Sequence, residues 1–454
     1  MTMSFSLSQN KRPTAVSALI LSGSLLVCSM ILPARATFGQ DDQSAESPAA
    51  PADEKPDASA PESKDPAPEK PDADAKKTNA APEQTDADPA TEPAEPAAPA
   101  AEPAADPEWV AKGVWTLPPT EGEVAVDFSL IGEYVGDLKA GQSSQEDDAS
   151  GDESDDESEG ESEGGRRGVQ IRNLGDGEFE ARVYVGGLPG QDGYQPKKPM
   201  VLLGRRNGQT LVLSGGPWAM FVTPESCRII DASGTSLATL ERAHRESPTL
   251  GATPPQGATV LFDGSDTSAF SNGEMTEDGL LKQGADIREM LGDFDLHVEF
   301  RIPHMPNAID QKRGNSGLYL QSRYECQVLD SFGDANVFNG LGALYRYKAP
   351  KMNMAFPPLT WQTYDVHFTA ARFAADGTKV RNARVTSWVN GVMVQDDEEL
   401  PGPTGAGKEE SPTLLPTKIQ NHNDPVRYRN IWVIDRGLTS GIEFPQLTKP
   451  AEKE

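Results

Sequence analysis

The chain has 454 residues, enough for two or three domains, and carries 70 acidic against 41 basic residues for a formal net charge of −29. Two low-complexity segments hold most of that charge: residues 41–108 contain 19 acidic and 5 basic residues, and 146–163 contain 11 acidic and no basic ones, leaving about −4 elsewhere. No Lys/Arg stripe is left to neutralise phosphates or anionic lipid, which excludes nucleic acid and charged membrane surfaces as partners.

The N-terminus reads as an export signal over residues 1–36. Lys11 and Arg12 precede an apolar run from Ala15 to Leu32, and Pro33 and the small-residue site Ala34-Arg35-Ala36 follow. The order predicts export to a periplasmic, cell-surface or secreted location; an uncleaved N-terminal anchor is the alternative, because the run is near spanning length. Residues 37–107 are Pro, Ala, Asp and Glu with almost no large apolar side chain, a composition that cannot offset chain entropy and predicts a disordered linker.

Strand patterning starts at Trp109. Apolar and polar residues alternate over Glu123–Leu138, Val169–Leu174 and Glu178–Leu188, and PMVLLGRR, GQTLVLSGG and ATLERA continue the pattern. These segments predict a small all-β accessory domain over 109–245. An acid-rich loop, 141–166, is inserted in it and lacks the ligand order of a calcium loop.

A Pro/Gly connector, 246–257, leads to a larger domain, 258–436, and a tail, 437–454. In DFDLHVEFRIP, Phe294, Leu296, Val298, Phe300 and Ile302 fall on one face, opposite Asp295, His297, Glu299 and Arg301. Trp361–Phe368 and Arg384–Val394 are further strands, the second carrying the hairpin signal Asn390-Gly391. The domain reads as an antiparallel β-sandwich.

The three cysteines are Cys28 in the leader, Cys227 and Cys326, with neither zinc spacing nor a disulfide framework. No residue pattern calls for a metal or a cofactor.

The chemistry-bearing stretch is Arg313–Gly333. Alternation puts Tyr324, Cys326 and Val328 on a core face and Arg323, Glu325 and Gln327 opposite them, while Asn315, Tyr319 and Gln321 alternate with Ser316, Leu318 and Leu320. Two polar strand faces of this kind can make a sugar-binding floor, since hydroxyl-rich ligands need dense hydrogen-bonding groups and aromatic rings. They can equally be a solvated sheet face. A second polar cluster, Lys418–Val433, holds Gln420, His422, Arg427, Arg429 and Asn430. His422 is there a candidate acid or base, or a structural loop histidine.

The order LFDGSD, GDFDLHVEFRIP, NSGLYLQSRYECQVLDS, LTWQTYDVHF, VNGVMV, ELPGPTG and HNDPVRYRNIWV closely resembles the 3-keto-disaccharide hydrolase family over residues 258–435. One departure is Asn423, where relatives more often carry glycine. The resemblance implies a concanavalin A-like jelly-roll sandwich, a carbohydrate partner and cleavage of glycosides already oxidised at C3, by elimination and hydration or by net hydrolysis. A ketone at C3 acidifies the C2 proton, so a base, donors for an enolate oxygen and an acid for the leaving group are required. Glu325, Asp330 and His422 suit the acid–base roles. Arg323, Gln327, Asn315 and Arg429 suit the donor roles, with Tyr319 and Gln420 beside them at the substrate. Direct hydrolysis by the pair Glu325 and Asp330 is a second enzymatic route. A non-catalytic, lectin-like glycan binder is the rival class, because the same sandwich serves both. Export predicts that the mature protein begins at or near Thr37; N-terminal sequencing that finds Met1 retained refutes it.

Overall fold

The computed structural model describes residues 106–139 and 164–437. The predicted leader, nearly all of the linker, the acidic run and the tail beyond Gly437 lie outside the described residues.

After a short helix, α1 (Pro107–Ala111), and a second, α2 (Gly122–Leu130), eight antiparallel strands close into a barrel. They are β1 (Gly132–Leu138), β2 (Gly165–Gly175), β3 (Glu178–Val185), β4 (Met200–Asn207), β5 (Thr210–Gly215), β6 (Trp218–Val222), β7 (Ser226–Asp231) and β8 (Ser236–Ala243). Each pairs with the next, and β8 returns to β1 through Glu133 opposite Ala243, so no edge is left open. Alternate residues such as Tyr134, Ile171, Phe179, Leu213, Met220 and Ile229 fill the interior.

Two boundaries differ from the sequence reading. Gly165 and Arg166, expected in the inserted loop, pair with Leu138 and Asp137 as the start of β2. The alternating run from Glu123 is helix as far as Leu130 and strand only from Gly132. Its apolar residues are two apart, but Val124 with Phe128 and Val126 with Leu130 are also four apart, so both periods fit. Tertiary context selects the helix: Arg206 on β4 pairs with Asp127, and Leu130 is buried in the core while Val126 and Phe128 pack against it.

The second part is a two-sheet sandwich. Its strands are β9 (Thr259–Phe262), β10 (Leu281–Lys282), β11 (Asp293–Arg301), β12 (Ser316–Leu320), β13 (Tyr324–Val328), β14 (Trp361–Thr369), β15 (Arg372–Phe373), β16 (Lys379–Arg381), β17 (Ala383–Val389), β18 (Val392–Leu400), β19 (Lys418–Ile419) and β20 (Arg427–Gly437). The larger sheet runs β10-β20-β11-β14-β17-β18 with β9 also on β20, the smaller runs β13-β12-β19, and β15 and β16 form a ribbon. Phe294, Leu296, Val298, Tyr364 and Phe368 of the large sheet face Leu318, Leu320, Tyr324, Cys326 and Val328 of the small one. The Tyr324 and Phe368 rings are 5.6 Å apart, and the Tyr428 hydroxyl bonds the Ser316 hydroxyl at 2.7 Å across the core. The Asn390-Gly391 hairpin forms as predicted, both residues at positive φ and Val389 opposite Val392.

The connector is built into the outer face of the large sheet. The Ser247 and Thr249 hydroxyls bond the Thr363 hydroxyl at 2.6 and 2.8 Å, Thr249 also bonds Asp365 at 2.9 Å, and the Gly251 N–H bonds Glu299 at 2.5 Å. Beneath it His297 stacks on Trp432 with ring centroids 4.9 Å apart. Its Nδ1 lies 2.6 Å from Asp365 and its Nε2 lies 3.8 Å from Glu299. Burial alone would lower the His297 pKa, but the hydrogen bonds and charges of Asp365 and Glu299 outweigh it and raise it to about 9.

A raised folded-state pKa stabilises fully below the unfolded value near 6.5 and is lost as pH rises through about 9. The stability difference between the protein and His297→Gln is therefore expected to shrink by about 3 kcal/mol between pH 6 and pH 10. Denaturant unfolding measured at each pH reads it; a difference that does not change with pH refutes the assignment.

Candidate functional site

The other face of the smaller sheet carries the polar residues, and the 404–406 segment lies against it. β12 and β13 pair Gly317 with Gln327 and Tyr319 with Glu325, and β19 sets Lys418 opposite Tyr319. The Gln420 N–H donates to the Gly317 carbonyl at 2.8 Å. Residues opposite one another across an antiparallel pair share a face. Asn315, Tyr319, Glu325, Gln327, Lys418 and Gln420 therefore ring Gly317, which has no side chain to fill the middle. A Cβ there would lie 2.9 Å from Glu325 Oε1 and 3.3 Å from Gln420 Oε1, so both oxygens converge over the glycine.

Glu325 is the acidic member of the ring. It is only 2% exposed, and its Oε2 accepts the Tyr319 O–H at 2.7 Å. The Thr404 hydroxyl accepts its backbone N–H at 2.8 Å, and its carbonyl accepts the Tyr345 N–H at 3.0 Å. Burial pushes the Glu325 pKa up to about 7, against the Tyr319 hydrogen bond, which lowers it. Burial and the neighbouring carboxylate push the Tyr319 hydroxyl upward, so it stays a donor. The Lys418 ammonium lies 5.8 Å from the Tyr319 ring centre. Around them three buried amide oxygens have no partner: Asn315 Oδ1, Gln327 Oε1 and Gln420 Oε1.

Five of the predicted site residues, Asn315, Tyr319, Glu325, Gln327 and Gln420, are thus brought together. The others are placed elsewhere. Alternation predicts Arg323 on the polar face beside Glu325, but 321–323 is a turn with Gln321 and Ser322 at positive φ, which takes Arg323 off the strand. Its guanidinium holds the 409–413 segment through the carbonyls of Glu409 and Thr413 at 3.1 and 2.8 Å, and lines a separate hollow of about 340 Å³. Asp330 accepts Arg313 Nε at 2.7 Å in a buried ion pair, whose guanidinium also reaches the Asn173 carbonyl of the barrel. Arg429 lies on β20 of the other sheet, paired with Glu299 at 2.7 Å and stacked over Trp361 at 4.0 Å. His422 is exposed in the loop after Gln420. Next to it, Asp424 accepts the Asn315 N–H at 2.7 Å.

Four contributors escaped the sequence reading. Lys418 follows from continuing the period of two back from Gln420. Thr404 and Gly405 lie in the ELPGPTG segment, whose proline and glycine advertise a turn but not its contact with Glu325. Gln311, in a 3₁₀ turn, has no sequence signal. Among the described residues no group of three His, Cys, Asp or Glu could hold a metal ion.

A desolvated carboxyl group, an aromatic hydroxyl and three buried amide oxygens gathered about a glycine fit a carbohydrate-active protein. Residues 257–434 match the 3-keto-alpha-glucoside-1,2-lyase-like domain family, so this part of the chain is a domain of that family. Two crystal structures of candidate glycosyl hydrolases from Parabacteroides distasonis ATCC 8503 are similar to the chain at 30% and 20% identity. They cover 40% of this chain, and 84% and 94% of theirs, with TM-scores of 0.37 and 0.30. Trypanosoma rangeli sialidase aligns at 11% identity over 60% of this chain and 49% of its own, with a TM-score of 0.23. No curated protein matches the chain.

Gly405 has φ +58, and a Cβ on it would come 2.2 Å from Glu325 Oε2, whereas Gly402 has open space. Gly405→Ala is expected to cost about 1–3 kcal/mol of stability through left-handed strain and the clash, and Gly402→Ala far less. Chemical denaturation of the two variants checks it; equal costs refute the placement of the loop on the carboxylate.

Proposed function

We propose that the sandwich is an exported glycoside-cleaving enzyme acting on 3-keto-glycosides by elimination followed by hydration, with Glu325 as the base. The observation that carries the reading is the Glu325 carboxyl group, buried beside the Tyr319 hydroxyl with its pKa raised to about 7. A base whose pKa lies near the working pH combines a useful ionised fraction with real proton affinity. The family match of residues 257–434 supports the glycoside-cleaving part.

The ionised carboxylate takes the C2 proton, and the C–H electrons form the enolate with the C3 oxygen. The enolate then regenerates the ketone as a C1–C2 double bond forms and the C1–oxygen bond breaks. The departing oxygen takes up a proton. Water adds across the C1–C2 double bond to give the free 3-keto sugar, so the net change is hydrolysis. The Tyr319 hydroxyl and the Lys418 ammonium are the donors on this face for the oxygen that gains charge. The two-carboxylate route is disfavoured, because Asp330 is held by Arg313 and lies away from the Gly317 floor.

Glu325→Gln is expected to lower kcat on a 3-keto-glucoside by about 100-fold or more with the fold intact. Binding without turnover in the wild-type protein would instead support a lectin-like glycan binder. The base must be ionised, so kcat/KM is expected to rise with pH through about 7. Tyr319→Phe removes the hydrogen bond that lowers the carboxyl pKa and should move that limb to higher pH; a limb that moves down or stays in place removes Glu325 from the role.

A further inference from the structure

Residues 342–345 run beside β13 as a fourth strip of the small sheet, with Cys326 bridged to Leu344. The Gln327 N–H donates to the Ala343 carbonyl at 2.9 Å, and the Tyr345 N–H to the Glu325 carbonyl at 3.0 Å. That pattern sets Gln327 opposite Ala343 and Glu325 opposite Tyr345. Leu344 goes into the core with Cys326, so Ala343 and Tyr345 lie on the polar face. One row of that face therefore reads Lys418, Tyr319, Glu325, Tyr345 across the four strips, and the row beside it holds the small residues Gly317 and Ala343. Tyr345 is half-buried, and among the described residues nothing hydrogen-bonds its hydroxyl. A Cβ on Gly405 would lie 2.9 Å from Tyr345 Cδ1 and 2.2 Å from Glu325 Oε2, so the ring and the carboxylate flank a point that only a glycine leaves open.

We propose that Tyr345 is the acid of the reaction, giving its hydroxyl proton to the oxygen that leaves C1. The inference rests on the elimination reading of this site and supplies the proton donor that reading requires. The order of groups along the row is the order of atoms in the substrate. With C2 at Glu325, the C3 oxygen that gathers charge lies toward Tyr319 and Lys418, and the C1 oxygen lies toward Tyr345. Side chains opposite one another on a sheet face stand about 5 Å apart, close enough for all of them to reach one sugar ring. His422 follows β19, at the opposite edge of the sheet from Tyr345, and Asp330 is bonded to Arg313, so neither serves the C1 side. In the elimination Glu325 takes the C2 proton, and the C1–oxygen bond breaks with its electron pair on the departing oxygen. That oxygen takes the Tyr345 proton, which leaves a neutral alcohol and a tyrosinate. In the hydration the tyrosinate takes a proton from the water whose oxygen bonds C1, and Glu325 returns its proton to C2. Both side chains end as they began.

The test uses the full-length protein with methyl and para-nitrophenyl 3-keto-glucosides, and reads the single-turnover rate at which the alcohol or phenol is released. Methoxide is a poor leaving group and needs the proton, whereas nitrophenoxide leaves without one. Tyr345→Phe keeps the ring and gives up only a hydroxyl with no partner, so the fold is expected to be kept, which thermal unfolding checks. The variant is expected to release methanol about 100-fold more slowly and nitrophenol less than about fivefold more slowly. Glu325→Gln is expected to slow both alike, because the C2 proton must be removed from either substrate. An equal loss on the two substrates in Tyr345→Phe, or no loss on either, overturns the assignment and leaves the elimination reading standing. The wild-type protein gives a second measurement that does not depend on the variant's folding. With the departing oxygen protonated, its rate should vary little across aryl 3-keto-glucosides of rising phenol acidity, and a steep dependence overturns the proposal. No release from either substrate by the wild-type protein fells the elimination reading, and this assignment with it.

Discussion

The register between β12 and β13 is the constraint on which the site depends. A three-residue turn, with Gln321 and Ser322 in the left-handed region, sets Tyr319 opposite Glu325 and Gly317 opposite Gln327. A slip of one residue would send Tyr324, Cys326 and Val328 outward and Glu325 into the apolar core. The burial of those three side chains therefore enforces the geometry of the polar face. Stability and chemistry lie on opposite sides of the same five-residue strands.

Two glutamates show how far location alone separates identical side chains. Glu299 on the large sheet is buried, which would raise its pKa. Hydrogen bonds from His297, Asn430, Arg429 and the Gly251 N–H outweigh burial and bring it down to about 2. Glu325 on the small sheet is buried with the Tyr319 hydroxyl as its side-chain partner, and is driven up to about 7. The first is a permanent anion that helps fasten the connector to the sheet. The second can gain and lose a proton near neutrality, and opposed environments of this kind mark acid–base assignments. Similarly Asp330 serves packing, because the buried Arg313 guanidinium holds its carboxylate in one orientation. Its partner Arg313 and the Arg172–Asp334 pair tie the segment after β13 to the barrel, which fixes the rim of the small sheet.

Local period and turn chemistry make part of this fold legible in the chain. Alternation marked most barrel strands and the two faces of β11, Asn390-Gly391 marked its hairpin, and the ordered segments from LFDGSD to HNDPVRYRNIWV marked the family. Alternation also puts Asn315, Tyr319, Glu325 and Gln327 on polar faces. It failed where two periods coincide, at Val124–Leu130, and where a turn interrupts a run, at Arg323. Tertiary structure alone decided which polar groups meet. Lys418 and Gln420 join Tyr319 and Gly317 because β19 pairs with β12 across about a hundred residues of chain, and Arg429 is carried to the opposite sheet. The physical reason is one of range: period and turn preference are properties of adjacent residues, whereas desolvation and the direction of a buried amide depend on every group packed around them.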